Sequence, residues 1–348
     1  MATEGNQTED TWRQTQESAM SEPVFEDEYF RKKPKKHGRD WPIVNAPEMF
    51  VPVADTHAHL DMLPDPGLAL ARAGVHKVGF LETMVDPVND TSTFEKLPEW
   101  KLRGEVMMRH MSTRICGQGH NSLPKIRIAV GAHPHVAKSF DDAEEAKLVG
   151  LLHDERVSAV GEIGLDYHYD YSPRSVQQDV FRRQVRIAKE AGLPVILHVR
   201  EAFDDAYTIM QSEGWPEAGT LLHCYTHDAE EIGRWTDAGC YVAFGGAFTF
   251  KKLSDIREAA KLVPMDRILT ETDAPFMTPE PFRGTTCEPA HVIFTAERMY
   301  NYLMRDDAPP AVVYTGEEDD ARRAFFTQTF QNALRILDQP PTDWQLDA

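Results

Sequence analysis

From residue 50 onward the chain alternates short apolar runs with longer amphipathic stretches. The runs are Val51–Ala54, Val75–Leu81, Ile126–Val130, Val157–Val160, Val195–Leu197, Thr220–Leu222, Tyr241–Phe244 and Ile268–Thr270. Nearly continuous apolar character over three to seven residues is the pattern of parallel strands covered on both faces, so eight strands are predicted. Between them, Val176, Val180, Phe181, Val185, Ile187 and Ala188 recur at helical spacing, and Gly192 and Pro194 mark the stop; this predicts a helix over 175–191. Similar helices are expected at 202–213, 229–238 and 253–262. Two more follow the last strand, at 289–303 and on the face shared by Phe326, Phe330, Ala333, Leu334 and Leu337.

Strand and helix alternating eight times over roughly 250 residues predicts an α/β fold, a (β/α)8 TIM barrel, in which active-site groups sit at the C-terminal strand ends. An open doubly wound sheet is the runner-up, but it would not bring the first strand beside the eighth. Residues 47–340 are read as one barrel domain. Residues 86–125 exceed one crossover helix and contain Gly117-Gln118-Gly119-His120-Asn121, which points to a surface-loop insertion. The Pro- and Gly-rich stretch 275–289 is expected to arch over the barrel mouth. Residues 1–46 are polar, with an acidic half followed by Arg31-Lys32-Lys33-Pro34-Lys35-Lys36-His37-Gly38-Arg39, and read as a disordered or loosely docked extension.

Ligand-type residues stand at or just beyond the downstream ends of five runs: His57 and His59, Glu162, His198, His223 and Asp273. In extended backbone, residues two apart face the same way, so His57 and His59 can share one ion. A lone histidine at a strand end is more often a hydrogen-bonded structural residue; six such positions converging on one rim reverse that weighting.

Composition narrows the chemistry. Lys and Arg number 37 against 56 Asp and Glu, a net charge of 37 − 56 = −19, which argues against coating nucleic acid by diffuse basic attraction. No apolar stretch approaches the roughly 20 residues of a membrane span, no secretory leader is read at residues 1–20, and four scattered cysteines suggest neither disulfides nor a zinc finger. A cytoplasmic setting is expected.

Six segments in order resemble the TatD-like metal-dependent deoxyribonucleases, a branch of the amidohydrolase-type barrels. They are Asp55-Thr56-His57-Ala58-His59-Leu60-Asp61, Val130-Gly131-Ala132-His133-Pro134-His135, Val160-Gly161-Glu162-Ile163-Gly164-Leu165-Asp166-Tyr167, Pro194-Val195-Ile196-Leu197-His198-Val199-Arg200-Glu201-Ala202, His223-Cys224-Tyr225 and Leu269-Thr270-Glu271-Thr272-Asp273-Ala274-Pro275. The resemblance implies two divalent ions, Mg2+, Mn2+ or Zn2+. His57, His59, Glu162 and Asp273 match the ligands of the first, and Glu162, His198 and His223 those of the second, with Glu162 as the bridge. Glu162 and Asp273 are the implied catalytic carboxylates, Asp273 as proton acceptor. His133 and Arg200 are candidate substrate contacts, Asp166 and Tyr167 candidate pocket walls, and Glu271 a candidate partner of a ligand. The family's Asn-Glu-Pro stretch reads Cys287-Glu288-Pro289 here, which places that loop's substrate contacts in question.

The activity so implied is phosphodiester hydrolysis of DNA, single-stranded or at ends, in the 3′-to-5′ direction. Two other readings stay open on the residues. A small ester, lactone or aminoacyl bond could be the substrate of the same centre, and a scaffold binding through residues 1–46 would need no chemistry.

Overall fold

The structure, a computed structural model, describes residues 29–34, 40–115, 122–307 and 317–346. Eight parallel strands run in the order of the chain: β1 Val53–Ala58, β2 Val78–Val85, β3 Lys125–Val130, β4 Val157–Asp166, β5 Val195–Arg200, β6 Thr220–Leu222, β7 Tyr241–Phe244 and β8 Ile268–Thr270. The helices are α1 Pro66–Val75, α2 Thr93–Ile115, α3 Asp142–Leu152, α4 Arg174–Ala191, α5 Phe203–Glu213, α6 Ala229–Asp237, α7 Ser254–Leu262, α8 Val292–Met304, α9 Glu317–Leu337 and α10 Asp343–Leu346. This is the (β/α)8 barrel.

The ring between β8 and β1 is closed partly by side chains. Thr270 donates through its hydroxyl to Ala54 O at 2.7 Å, and Thr56 through its own to Thr270 O at 3.2 Å. Beyond the strand ends, Asp273 N donates to His57 O at 2.9 Å and His59 N to Ala274 O at 2.8 Å. Hydroxyl-to-carbonyl bonds here do the work of a regular ladder, and they bring the two ends of the sheet together at the mouth.

Inside the ring, Ala54, Phe80, Met84, Ala129, Ala159, Ile196, Leu221, Ala243 and Leu269 form a core with at least one residue from every strand. Ala333, Ile336 and Leu337 of α9 join it, which explains why that helix has an apolar face. The remaining aliphatic surface of the strands packs against the surrounding helices.

Three expectations about element extent need correction. The second strand begins at Val78, because Val75 completes α1 and Lys77 takes a left-handed turn (φ 61°). β1 and β4 continue past their apolar runs through Asp55–Ala58 and Gly161–Asp166, since the upper interior of the barrel is filled with paired polar groups that an apolar pattern cannot reveal. Most of the presumed loop insertion is α2, a 23-residue helix whose Met108 and Met111 pack on Leu68, Ala71 and Val75 of α1. The 117–121 cluster lies outside the described residues.

Part of the N-terminal extension is firmly seated. Phe30 is only 3% exposed and packs edge-on against Phe294 (centroids 4.7 Å apart) and against Phe282 of the loop after β8. Val44 N donates to Phe30 O at 2.7 Å, and Lys33 Nζ reaches Gly284 O at 2.7 Å. Tyr29 lies under the Arg72 guanidinium (3.9 Å), which pairs with Glu288 at 2.6 Å. Removing the ring in Phe30→Ala forfeits about 2 kcal/mol of burial. Proteolysis within residues 29–46 should then accelerate roughly 30-fold with little change in the global melting temperature, because only the arm detaches. A cleavage rate equal to the parent's would show that Phe30 does not hold it.

Candidate metal centre

The six expected ligands meet at the C-terminal mouth, carried by β1, β4 and β5 and by the residues just past β1, β6 and β8. Glu162 stands at the centre. Its Oε2 faces His57 Nε2 at 3.3 Å and His59 Nε2 at 3.9 Å, while its Oε1 faces His198 Nδ1 at 2.7 Å and His223 Nε2 at 3.3 Å. Asp273 Oδ1 lies 3.9 Å from His57 Nε2 and 3.6 Å from His59 Nε2. Two donors each about 2.1 Å from one ion at a tetrahedral angle are about 3.4 Å apart, so these spacings, the 2.7 Å pair excepted, suit shared coordination. His57 is fully buried, and neither of its ring nitrogens has a hydrogen-bond partner among the described residues. A buried imidazole without partners is costly unless it binds something, which is a second point of fit to a metal.

Groups behind the ligands fix their orientation. Glu271 Oε2 is 3.1 Å from His223 Nδ1 and its Oε1 accepts from Cys224 N at 2.7 Å, leaving His223 Nε2 toward Glu162. Asp166 Oδ2 lies 3.1 Å from His198 Nε2 and 2.9 Å from His135 Nε2. The buried carboxylate of Asp55 accepts from Thr272 N and Oγ1 at 2.8 and 2.6 Å, clamping the backbone one residue before Asp273. Asp273 itself takes a left-handed conformation (φ 60°), as does Cys224 (φ 44°), uncommon for residues other than glycine and held here by these bonds. Gly164 (φ 142°) runs against β5 so closely that a Cβ would meet His198 O at 2.0 Å.

The electrostatics favour a cation. Burial opposes charge on Glu162 and Asp273, yet the surrounding histidines hold both carboxyls below the usual range. Burial likewise works against protonating His198 and His223, but Asp166, Glu162 and Glu271 raise them to about 9 and about 10. Such a carboxylate-rich field attracts divalent ions in competition with protons. His57 is pushed down by burial.

Of the secondary candidates, His133 lies inside the cluster, its Nε2 3.6 Å from Glu162 Oε1, and burial drives it down to about 3, so it is neutral. Arg200 stands at the edge, its guanidinium carbon 4.8 Å from the Tyr169 ring centre. Tyr167 turns outward, donating to Asp205 at 2.7 Å. Arg283 stacks on Phe250 at 3.6 Å. His135 was not singled out, although His133-Pro134-His135 repeats the two-residue histidine spacing; the segment is a 3-10 turn, where that spacing carries no strand logic. Among the described residues no helix is long and apolar enough to cross a membrane.

Histidines and carboxylates converging at the mouth of a (β/α)8 barrel define a metal-dependent hydrolase. The chain matches the family described as TatD related DNase over residues 54–323, and it belongs to that family. It is 43% identical over 174 residues to the uncharacterized metal-dependent hydrolase YabD of Bacillus subtilis, covering 50% of this chain and 68% of that one. It is 32% identical over 186 residues to the 3′-5′ ssDNA/RNA exonuclease TatD of Shigella flexneri, covering 51% and 70%. The crystal structure of YJJV, a TatD homolog from Escherichia coli k12, superposes with a TM-score of 0.65 over 83% of this chain and 98% of that one, at 23% identity.

Proposed function

We propose that this hydrolase is a divalent-metal-dependent deoxyribonuclease, a phosphodiesterase that trims single-stranded DNA from its 3′ end, and that it holds two ions. The observation that carries the two-ion reading is the division of labour at Glu162. One oxygen meets His57 and His59, whose other neighbour is Asp273; the second meets His198 and His223. A pair of divalent ions, Mg2+, Mn2+ or Zn2+, would supply Lewis acidity to the phosphoryl oxygens and lower the pKa of an attacking water. The relative from Shigella flexneri, an exonuclease by name, supports the choice of a nucleic-acid substrate.

The chain's own residues then have separable roles. Asp273, ionised and 15% exposed at the mouth, accepts the proton of the attacking water. Glu162, which faces histidines with both of its oxygens, would be shared between the two ions and positions both halves of the site. His133, neutral beside Glu162, can donate one hydrogen bond to a non-bridging phosphate oxygen without adding charge. Arg200, just beyond β5's ligand, offers a two-pronged contact for the neighbouring phosphate.

The test uses metal-stripped protein supplied with Mg2+, Mn2+ or Zn2+ in turn. End-labelled single-stranded DNA and a panel of carboxyl esters and lactones serve as substrates, with elemental analysis of the purified protein alongside. DNA shortened from the 3′ end and two ions per chain are expected. Ester turnover about a hundredfold above DNA cleavage, roughly 2.7 kcal/mol in barrier, would replace the nuclease reading by the small-ester one; inactivity on DNA with every ion would remove it.

A further inference from the structure

We infer that Tyr169 and Tyr171, on the loop between β4 and α4, form a stacking shelf for a nucleobase beside the metal centre. The inference rests on the nuclease reading for its ligand. The two rings are parallel, 5.2 Å between centroids and 7° between planes, and the Arg200 guanidinium carbon lies 4.8 Å from the Tyr169 centroid. His135 meets both rings edge-on, at 5.4 and 4.8 Å. A layered group of flat π systems therefore starts at the histidine cluster and reaches solvent.

Two features separate this shelf from ordinary packing. Tyr169 is 42% exposed, and neither phenol hydroxyl has a hydrogen-bond partner among the described residues, so the pair closes no polar network. The shelf is nonetheless tied to the metal centre. Asp166 accepts from Tyr169 N through Oδ1 at 2.9 Å, while its Oδ2 sits 3.1 Å from His198 Nε2. Asp170, in left-handed backbone (φ 51°), is clamped by Arg174 at 2.7 Å. One carboxylate thus sets the offset between the tyrosine loop and a ligand.

Nucleobases suit such a surface because each has a flat π face and polar edges, and stacking on tyrosine tolerates any base. With a net charge of −19, diffuse attraction to a phosphate backbone is weak, so stacking supplies the affinity that a basic groove supplies elsewhere. Arg200, against the same ring, is placed to take the phosphate joining a stacked base to the next nucleotide.

The experiment compares the native protein with Tyr169→Ala, Tyr171→Ala and Tyr169→Phe on a single-stranded oligonucleotide and on one lacking bases at its three 3′ nucleotides. Losing one stacking contact corresponds to about 5- to 150-fold in binding. Each alanine variant should raise KM about tenfold on the full oligonucleotide, Tyr169→Phe should stay within about twofold, and the effect should collapse on the base-free ends. In parallel, a phosphorothioate-linked oligonucleotide carrying 2-aminopurine near its 3′ end is titrated with each protein; stacking quenches its emission. Quenching that the alanine variants lose supports the shelf even if no cleavage occurs, in which case the nuclease reading alone falls. Cleavage with no quenching, unchanged KM, or equal losses on both substrates overturns the shelf.

Discussion

Glu162→Gln should leave a folded protein that has lost hydrolysis by at least about 10³-fold. Losing one pre-placed electrostatic contact in a reaction centre typically costs 10²–10³. Here the amide withdraws charge from two sets of histidines at once, because separate oxygens of Glu162 face them. The amide nitrogen also brings protons toward imidazoles that need an acceptor, so ion content should fall with the activity. Elemental analysis of the purified variant, together with hydrolysis assays across a metal titration, checks both. Activity within tenfold of the parent at equal metal content would mean that Glu162 is not the shared ligand. The corresponding test at Asp273 reads differently, since its closest histidines are His57 and His59 and its loss should deplete metal on that side first.

The second large effect lies in the interior, away from the reaction centre. Glu82 of β2 is fully buried beside Ser158, its Oε2 has no hydrogen-bond partner among the described residues, and burial pushes it from 4.5 up to about 8. Between those values the folded protein holds a proton on Glu82 that the unfolded chain has lost, so stability falls as pH rises. The contribution is complete below about pH 4.5 and lost by about pH 8, a difference of at most about 4 to 5 kcal/mol. Glu82→Gln stays neutral and nearly isosteric throughout. Urea unfolding at pH 5 and pH 8 should show the parent losing stability relative to the variant at the higher pH, by several kcal/mol. Parallel behaviour of the two proteins would show that Glu82 titrates normally.

The convergence of the six candidate ligands was legible because each stands at or just beyond the end of an apolar run, and parallel strands around a ring place such residues on one rim. The barrel was legible from the same rhythm. What escaped detection has no periodic signal. Asp55 looks like one more polar residue before a histidine, yet it clamps Thr272 across the seam between the first and last strands. Tyr169 and Tyr171 lie on a loop, where two-residue spacing has no fixed meaning. The seated arm was masked by its charges; the aromatic pair Tyr29-Phe30 amid acidic and basic residues was the available clue. Strand limits failed where burial is polar, at Asp55–Ala58 and Gly161–Asp166, because hydrophobicity reports lipophilic burial only.

The seam between β8 and β1 also sets the order in which competence can arise during synthesis. Domains form as units while the chain emerges from its N-terminus, and Asp273 is supplied more than two hundred residues after His57. A nascent or prematurely terminated polypeptide ending before that point carries five of the six groups but neither the sixth nor the hydroxyl-to-carbonyl latch that draws the edges together. Any hydrolytic capacity of the six-residue centre is thereby withheld until the barrel is shut.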